Sequence, residues 1–129
     1  MASSNTADPK KHVVKSVEGK PLDGKFVVSS LINGNDMTML EVHLEPGDRT
    51  PLHKHGHESL IYVVEGKLKT NVGQETHILG RGDAGLHPRN VEHCVEAIER
   101  TTVIEIKSCR WEEAQAIWSA SPPSCLSSA

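Results

Sequence analysis

Residues 47–58 read GDRTPLHKHGHE, in which His53, His55 and His57 occupy alternate positions. A β-strand sends every second side chain to the same face, so a strand through this stretch directs all three imidazoles to one side. Converging imidazoles suit a divalent transition metal, which accepts neutral nitrogen donors. A further histidine, His93, lies in a second segment of turn and strand. The two segments together predict a metal site.

Length, charge and cysteine content limit the class of protein. A chain of 129 residues predicts one domain that can bury a core without disulfides. The net charge of −3 and the aromatic content of 3% favour neither nucleic acid nor membrane as a partner. The chain shows no apolar run of membrane-spanning length and no secretory signal. Three cysteines without C-x-x-C spacing, at positions 94, 109 and 125, indicate free thiols and a cytoplasmic protein.

The order of apolar and turn residues predicts an all-β protein. Short segments rich in β-branched residues alternate with turn sequences from residue 12 to residue 107. Asn33-Gly34 is a hairpin signal, and Gly19–Gly24 has the composition of a turn. Apolar residues alternate with polar ones in the return strand Met37–Leu44. Many short strands with frequent turns indicate a sandwich or a small barrel.

One helix is predicted near the end of the chain. Ser108 is the predicted N-cap, and Trp111 and Trp118 share a face at helical spacing. We interpret the tryptophan pair as the face that packs on the barrel wall or on a partner subunit. The predicted organisation is a disordered segment at 1–10, a single domain with this helix at 11–120, and a flexible tail at 121–129.

Two motifs carry a resemblance to a known family. Gly47–Gly66 reads G-x5-H-x-H-x3-S-x6-G, and Gly82–Ala97 reads G-x5-P-x-N-x2-H-x3-A. They resemble the two motifs of the cupin superfamily, G-x5-H-x-H-x3,4-E-x6-G and G-x5-P-x-G-x2-H-x3-N, and the spacing agrees without a gap. The resemblance implies a jelly-roll β-barrel (a double-stranded β-helix) of six to eight strands that forms a homodimer. It also implies a divalent metal ion held by His53, His55 and His93.

The chain departs from the family pattern at two positions. Ser59 stands where the pattern has an acidic ligand, and Asn90 stands in place of a glycine. Asn tolerates the left-handed backbone conformation better than most residues, so the second change is mild. Glu58 is adjacent to Ser59 but points to the opposite face in a regular strand. We therefore predict a site of three neutral histidines with His57 nearby, either as a further ligand or as a histidine at the rim of the pocket.

Imidazole donors suit Fe, Zn, Ni and Cu. The arrangement resembles that of some three-histidine cupin dioxygenases, which favours Fe2+, with Zn2+, Ni2+ and Mn2+ as alternatives. The predicted function is an enzyme that chelates a small oxygen-rich organic acid, ketone or enol. Oxidation of the dioxygenase type is slightly favoured. The alternatives are an isomerase, cyclase or lyase, with His57 or Glu58 as general acid or base, and a metabolite-binding protein without catalysis.

Overall fold

The computed structural model describes residues 10–119. Outside this range lie the predicted tail at 121–129 with Cys125, and all but the last residue of the predicted disordered segment at 1–10. The described part contains nine strands and one helix. They are β1 (Lys11–Val17), β2 (Lys20–Asn33), β3 (Thr38–Leu44), β4 (Ser59–Glu65), β5 (Lys67–Val72), β6 (Glu75–Gly80), β7 (Ala84–His87), β8 (His93–Ala97), β9 (Thr101–Lys107) and α1 (Trp111–Ser119).

The strands form two antiparallel sheets that face each other. One sheet has the order β1-β2-β3-β9-β4-β7, and the other has the order β6-β5-β8. Buried and half-buried residues alternate along β3. The buried ones include Leu40, Val42 and Leu44, which face the opposite sheet. The core is therefore the space between the two sheets, and the all-β prediction is confirmed.

The predicted closed barrel is wrong. In the described residues, no continuous ladder joins the two sheets, and the strand-type pairs between the segments that connect them are isolated bridges, Arg49↔Glu96 and His53↔His93 among them. These bridges come from the chain between β3 and β4, where Pro46 and Pro51 lack the N–H group that a continuous ladder needs. The histidine segment is accordingly a loop that precedes β4, rather than the mouth of a strand. Its alternation nevertheless holds, because residues 53, 55, 57 and 59 are all buried while their neighbours are exposed.

Two local predictions are also wrong. Gly19–Gly24 is not a turn, because β2 begins at Lys20 and the turn consists of Glu18 and Gly19, with φ angles of 52° and 78°. Ser108 does not cap the helix, because its hydroxyl accepts the N–H of Glu58 at 3.0 Å. Arg110 stands at that position instead, since its carbonyl accepts the N–H of Ala114 and its own N–H donates to Glu113 Oε1.

The helix packs on the sheet as the tryptophan spacing predicted. Trp111 and Trp118 are half-buried against the core and contact each other edge to face, with ring centroids 5.9 Å apart. Ile117, on the same helix, accepts the N–H of Glu18 through its carbonyl at 2.9 Å. The helix therefore fixes the turn between β1 and β2. Within residues 10–119, no helix has the length and apolar character needed to cross a membrane.

Candidate metal centre

Three of the predicted histidines form one buried cluster. His53, His55 and His93 are 4–6% exposed, and their candidate ligand nitrogens lie within 4.8 Å of one another. Reciprocal backbone hydrogen bonds between His53 and His93, of 3.0 and 2.8 Å, hold the loop against β8. This antiparallel bridge brings together two segments that are 40 positions apart in the chain.

Hydrogen bonds at Nδ1 leave Nε2 of each ring available to a metal ion. Nδ1 of His53 donates to the Pro51 carbonyl at 2.7 Å, and Nδ1 of His93 donates to the Val91 carbonyl at 3.1 Å. These acceptors have no proton to give, so the hydrogen must be on Nδ1 and the lone pair on Nε2. Metal-binding histidines nearly always make such a second bond, which fixes the orientation of the ring.

The third ring is oriented by a carboxylate that the sequence did not predict. Glu18 Oε2 accepts from Nδ1 of His55 at 2.6 Å. Glu18 has a φ of 52°, a conformation that disfavours side chains other than Gly, Asn and Asp and stores about 1 kcal/mol or more. Nothing in the sequence pattern connects position 18 with position 55. Only the turn between β1 and β2 places the carboxylate behind the histidine.

Burial keeps the three rings neutral. It lowers the pKa of His53 to about 4, despite the bond to Pro51 that acts the other way. Burial also lowers the pKa of His93 and His55, and the Lys107 ammonium lowers that of His55 further. Neutral imidazoles bind a cation without first losing a proton.

The donor set fits a divalent metal ion. Nitrogens bound at 2.0–2.1 Å to one tetrahedral ion lie about 3.4 Å apart. The candidate nitrogens lie within 4.8 Å of one another, so rotations of the side chains can bring them onto one ion. The structure thus brings together the three residues predicted as metal ligands, His53, His55 and His93.

The two residues predicted as catalytic lie in different environments. His57 is 8% exposed, and its ring stacks on that of His55 with centroids 4.8 Å apart. Its Nε2 accepts from Lys107 Nζ at 3.4 Å, and burial lowers its pKa to about 4. Glu58 is exposed, and its bonds to Ser108 are made by its backbone. The structure places His57 beside the cluster and does not bring the Glu58 side chain to it.

A cavity of about 70 Å³ opens between the sheets at the histidine cluster. One bound water needs roughly 10–15 Å³ of such space, so the cavity has room for a small molecule. Most lining residues are apolar, with Phe26, Leu44 and Ile61 among them. The polar lining residues beyond the cluster include His87, Glu105 and Lys107.

The pair Glu105 and Lys107 was missed by sequence reasoning. Both residues lie on β9 at inward positions, and Lys107 Nζ donates to Glu105 Oε2 at 3.1 Å. Their side chains are 18% and 4% exposed. Burial raises the pKa of Glu105, but the Lys107 ammonium together with His87 and His57 lowers it by more, so the pKa lies below its ordinary value. The sequence did contain a sign of this pair. Every second residue of the strand faces the core, and that series is Thr101, Val103, Glu105 and Lys107, so two charged residues fall at core-facing positions.

His87 gives a pH dependence that can be measured on the metal-free protein. Burial lowers its pKa from 6.5 to about 3, and its ring stacks on His93 with centroids 4.2 Å apart. Between these values the unfolded chain binds a proton that the folded chain excludes. The free energy of unfolding should therefore fall as the pH decreases through this range, and His87 contributes about 1.4 kcal/mol of this fall per pH unit. Above pH 6.5 the contribution of His87 no longer changes with pH.

Urea denaturation at about pH 7.5, 6 and 5 in the presence of a chelator tests this prediction. His87→Gln should flatten the pH dependence, whereas His77→Gln, at an exposed histidine, should leave it as in the wild type. Equal slopes in all three proteins would contradict the assignment.

A family model for the cupin domain matches residues 40–106, slightly more than half of the chain. The chain belongs to the cupin family. This cupin is 32% identical over 71 residues to the pectin degradation protein KdgF of Dickeya dadantii strain 3937, a match that covers 54% of this chain and 64% of that protein. The match thus spans less than two thirds of the relative.

Solved structures support the cupin fold. The structure of KdgF from Halomonas sp. superimposes with a TM-score of 0.75 at 22% identity, over 88% of this chain and 99% of that one. The polyketide cyclase RemF from Streptomyces resistomycificus gives a TM-score of 0.69 at 24% identity, over 84% and 79%. At these identities the similarity shows the fold.

The two departures of this cupin from the family motifs have different consequences. Asn90 adopts a φ of 59°, which confirms that it serves the left-handed position of the replaced glycine. Ser59 is 2% exposed, and its hydroxyl has no hydrogen-bond partner among the described residues. On β4 it pairs with Lys107 on one side and with His87 on the other. An unsatisfied hydroxyl therefore stands at the position of the acidic ligand.

Proposed function

We propose that this cupin is a metal-dependent enzyme that acts on a small, oxygen-rich organic acid, ketone or enol. The observation that carries the proposal is the cluster of three buried, neutral imidazoles that line one cavity, each with Nδ1 already engaged. Nε2 of His53, His55 and His93 would hold the ion. When bound, a divalent ion withdraws electron density from the oxygens of a chelating substrate, and Fe2+ adds redox chemistry with dioxygen.

Within this proposal we favour proton transfer, as in an isomerase, cyclase or lyase. Ionisable side chains surround the cluster, since His57 stacks on His55 and contacts Lys107, which pairs with Glu105. Proton transfer uses such groups, whereas oxidation by dioxygen does not require them. His57 is the proposed general base, and its Nε2 lone pair becomes available when the Lys107 ammonium bonds to the substrate instead. The exposed Glu58 is the weaker candidate. The name of one protein of similar structure, a polyketide cyclase, belongs to this class of reaction and supports the proposal.

The second candidate is the dioxygenase-type oxidation that the sequence favoured. The observation in its favour is the all-nitrogen donor set, because three imidazoles without a carboxylate leave positions on the ion for substrate and dioxygen. Iron would be the metal in that case, whereas zinc, nickel or manganese would serve proton transfer.

Elemental analysis and two activity measurements distinguish the candidates. We expect protein purified without added metal to retain a divalent ion. With 2-oxo acids and 1,3-diketones in deuterium oxide, we expect exchange of the hydrogen next to the carbonyl without oxygen uptake. His57→Gln should keep the metal and lose the exchange, and His77→Gln is the control. Bound iron together with oxygen consumption would instead establish the dioxygenase. Binding of the compounds without exchange or oxidation would indicate a metabolite-binding protein. Failure to bind any divalent metal would contradict both enzyme proposals.

We also propose a homodimer, in which a second copy covers the outer face of the six-stranded sheet. Leu60, Tyr62 and Leu86 are 48–50% exposed on this face, and Leu60 is paired directly with Leu86. A contiguous apolar face of this kind indicates an interface. Light scattering should give a mass of two chains, and Tyr62→Glu should reduce it to one; a monomeric wild type would contradict the proposal.

The proposed location is the cytoplasm. Cys94 and Cys109 are both free thiols in the structure, and thiols persist in a reducing compartment. Detection of the protein in an oxidising compartment would contradict this location.

A further inference from the structure

Among the residues that the structure describes, the Lys107 ammonium has more N–H donors than partners. A protonated lysine has three N–H donors. The structure gives Nζ two partners, Glu105 Oε2 at 3.1 Å and His57 Nε2 at 3.4 Å. Ser59, its neighbour across β4 and β9, carries the unpartnered hydroxyl. Residues directly opposite each other in a sheet have Cβ atoms about 5 Å apart. An ammonium that lines the cavity and a buried hydroxyl therefore lie on paired positions of β9 and β4, and both are incompletely bonded among the described residues.

The charges around the cavity leave a positive excess once a metal is bound. The dication and Lys107 supply three positive charges, and Glu105 and Glu18 supply two negative ones. Glu18 lies behind His55 with a third of its side chain exposed, so water screens much of its effect on the cavity. A buried positive charge without a counter-charge is costly. The missing charge can be supplied by a bound anion.

We infer that Lys107, together with the Ser59 hydroxyl, binds the carboxylate of the substrate and makes this cupin selective for organic anions over neutral ketones. The inference rests on the proposed function and narrows its substrate class to small 2-oxo or 2-hydroxy carboxylates, one end of which chelates the metal. Lys107 lines the same cavity as His53, His55 and His93. Its Nζ lies 3.4 Å from Nε2 of His57, whose ring stacks on that of His55. A carboxylate with a neighbouring oxygen is short enough to contact both the ion and the ammonium. A neutral diketone of the same size satisfies the ion and leaves the ammonium uncompensated.

The alternative is a purely structural ion pair, and the two roles predict different results. A structural pair affects folding stability without regard to the charge of a ligand. A carboxylate-binding lysine changes the affinity for anions alone. Because it is a cation beside a cation site, its removal should also leave metal affinity unchanged or stronger.

Titration calorimetry on the zinc-loaded protein tests the inference with pyruvate and with 2,3-butanedione, its neutral analogue of nearly equal size. Wild-type protein should bind pyruvate about tenfold more tightly or better, as expected for one charge-assisted hydrogen bond. Lys107→Met should lower the affinity for pyruvate about tenfold and leave the affinity for 2,3-butanedione unchanged, while it binds zinc at least as tightly. Lys67→Met, at an exposed lysine paired with Glu99, is the matched control and should behave as wild type.

Glu105→Gln/Lys107→Met provides the same test without an unpaired buried carboxylate, in case the single variant does not fold. Equal affinity of the wild type for the two compounds, or full pyruvate binding by the folded lysine variants, would overturn the inference and leave the metal site intact. Failure of wild-type protein to bind zinc would overturn the proposed function and the inference together.

Discussion

Replacement of His53 by alanine is expected to remove the metal from the protein. His53 supplies one of three nitrogens, and its backbone forms the bridge to His93 that joins the loop to β8. Alanine keeps the backbone bonds but leaves two imidazoles, and a site with one ligand fewer binds divalent metals far more weakly. Elemental analysis after gel filtration should find close to one ion per chain in the wild type and almost none in His53→Ala.

Lys54→Ala is the matched control for this experiment. It is the next residue in the same loop, and its side chain is exposed whereas that of His53 is buried. The alternation of the loop predicts full metal content in this variant. Equal metal content in His53→Ala and Lys54→Ala would refute the ligand assignment, and circular dichroism of both variants would show whether the fold is retained.

Replacement of Glu18 by asparagine is expected to weaken metal binding by about tenfold to a hundredfold, the usual effect of losing the partner that orients a ligand histidine. The carboxylate accepts from Nδ1 of His55 at 2.6 Å, and the shorter asparagine side chain is neutral. Asparagine also suits the left-handed φ of 52° better than glutamate. The metal-free variant should therefore unfold at the same temperature as the wild type or at a higher one.

The opposite signs of the two effects identify a positioning role for Glu18. A residue that merely stabilised the turn would lower both the melting temperature and the metal affinity when replaced. Glu58→Asn is the control, since Glu58 is acidic and exposed with no side-chain partner assigned to it among the described residues. A titration of metal into Glu18→Asn that matches the wild type would contradict the role.

The sequence indicated the candidate ligands His53 and His55 because their signal is local, and the motif resemblance added His93. The alternation of His53, His55 and His57 fixes which side chains share a face, and it holds even though the segment is a loop. The glycine, proline and asparagine positions of the two motifs mark turns, and Asn90 adopts the expected left-handed conformation. Backbone conformation of this kind depends on the residue itself and its immediate neighbours.

The surroundings of the ligands depend on strand pairing between distant parts of the chain. Glu18 reaches His55 because the turn between β1 and β2 is held by the carbonyl of Ile117 on the helix. Lys107 lies beside Ser59 because β9 pairs with β4 in one particular register. A shift of that register by one residue would turn Lys107 to the outer face. No short pattern in the sequence encodes either pairing.

The sequence by itself indicated an all-β protein, because periodicity and turn residues act over a few positions. The resemblance of its two motifs to those of cupins implied the family and the candidate ligands His53, His55 and His93. The tertiary structure decided that the sheets do not close into a barrel, which carboxylate orients His55, and which charged pair lines the cavity. Those features arise when segments far apart in the chain are packed together, and their energies come from burial and long-range pairing that local sequence does not specify.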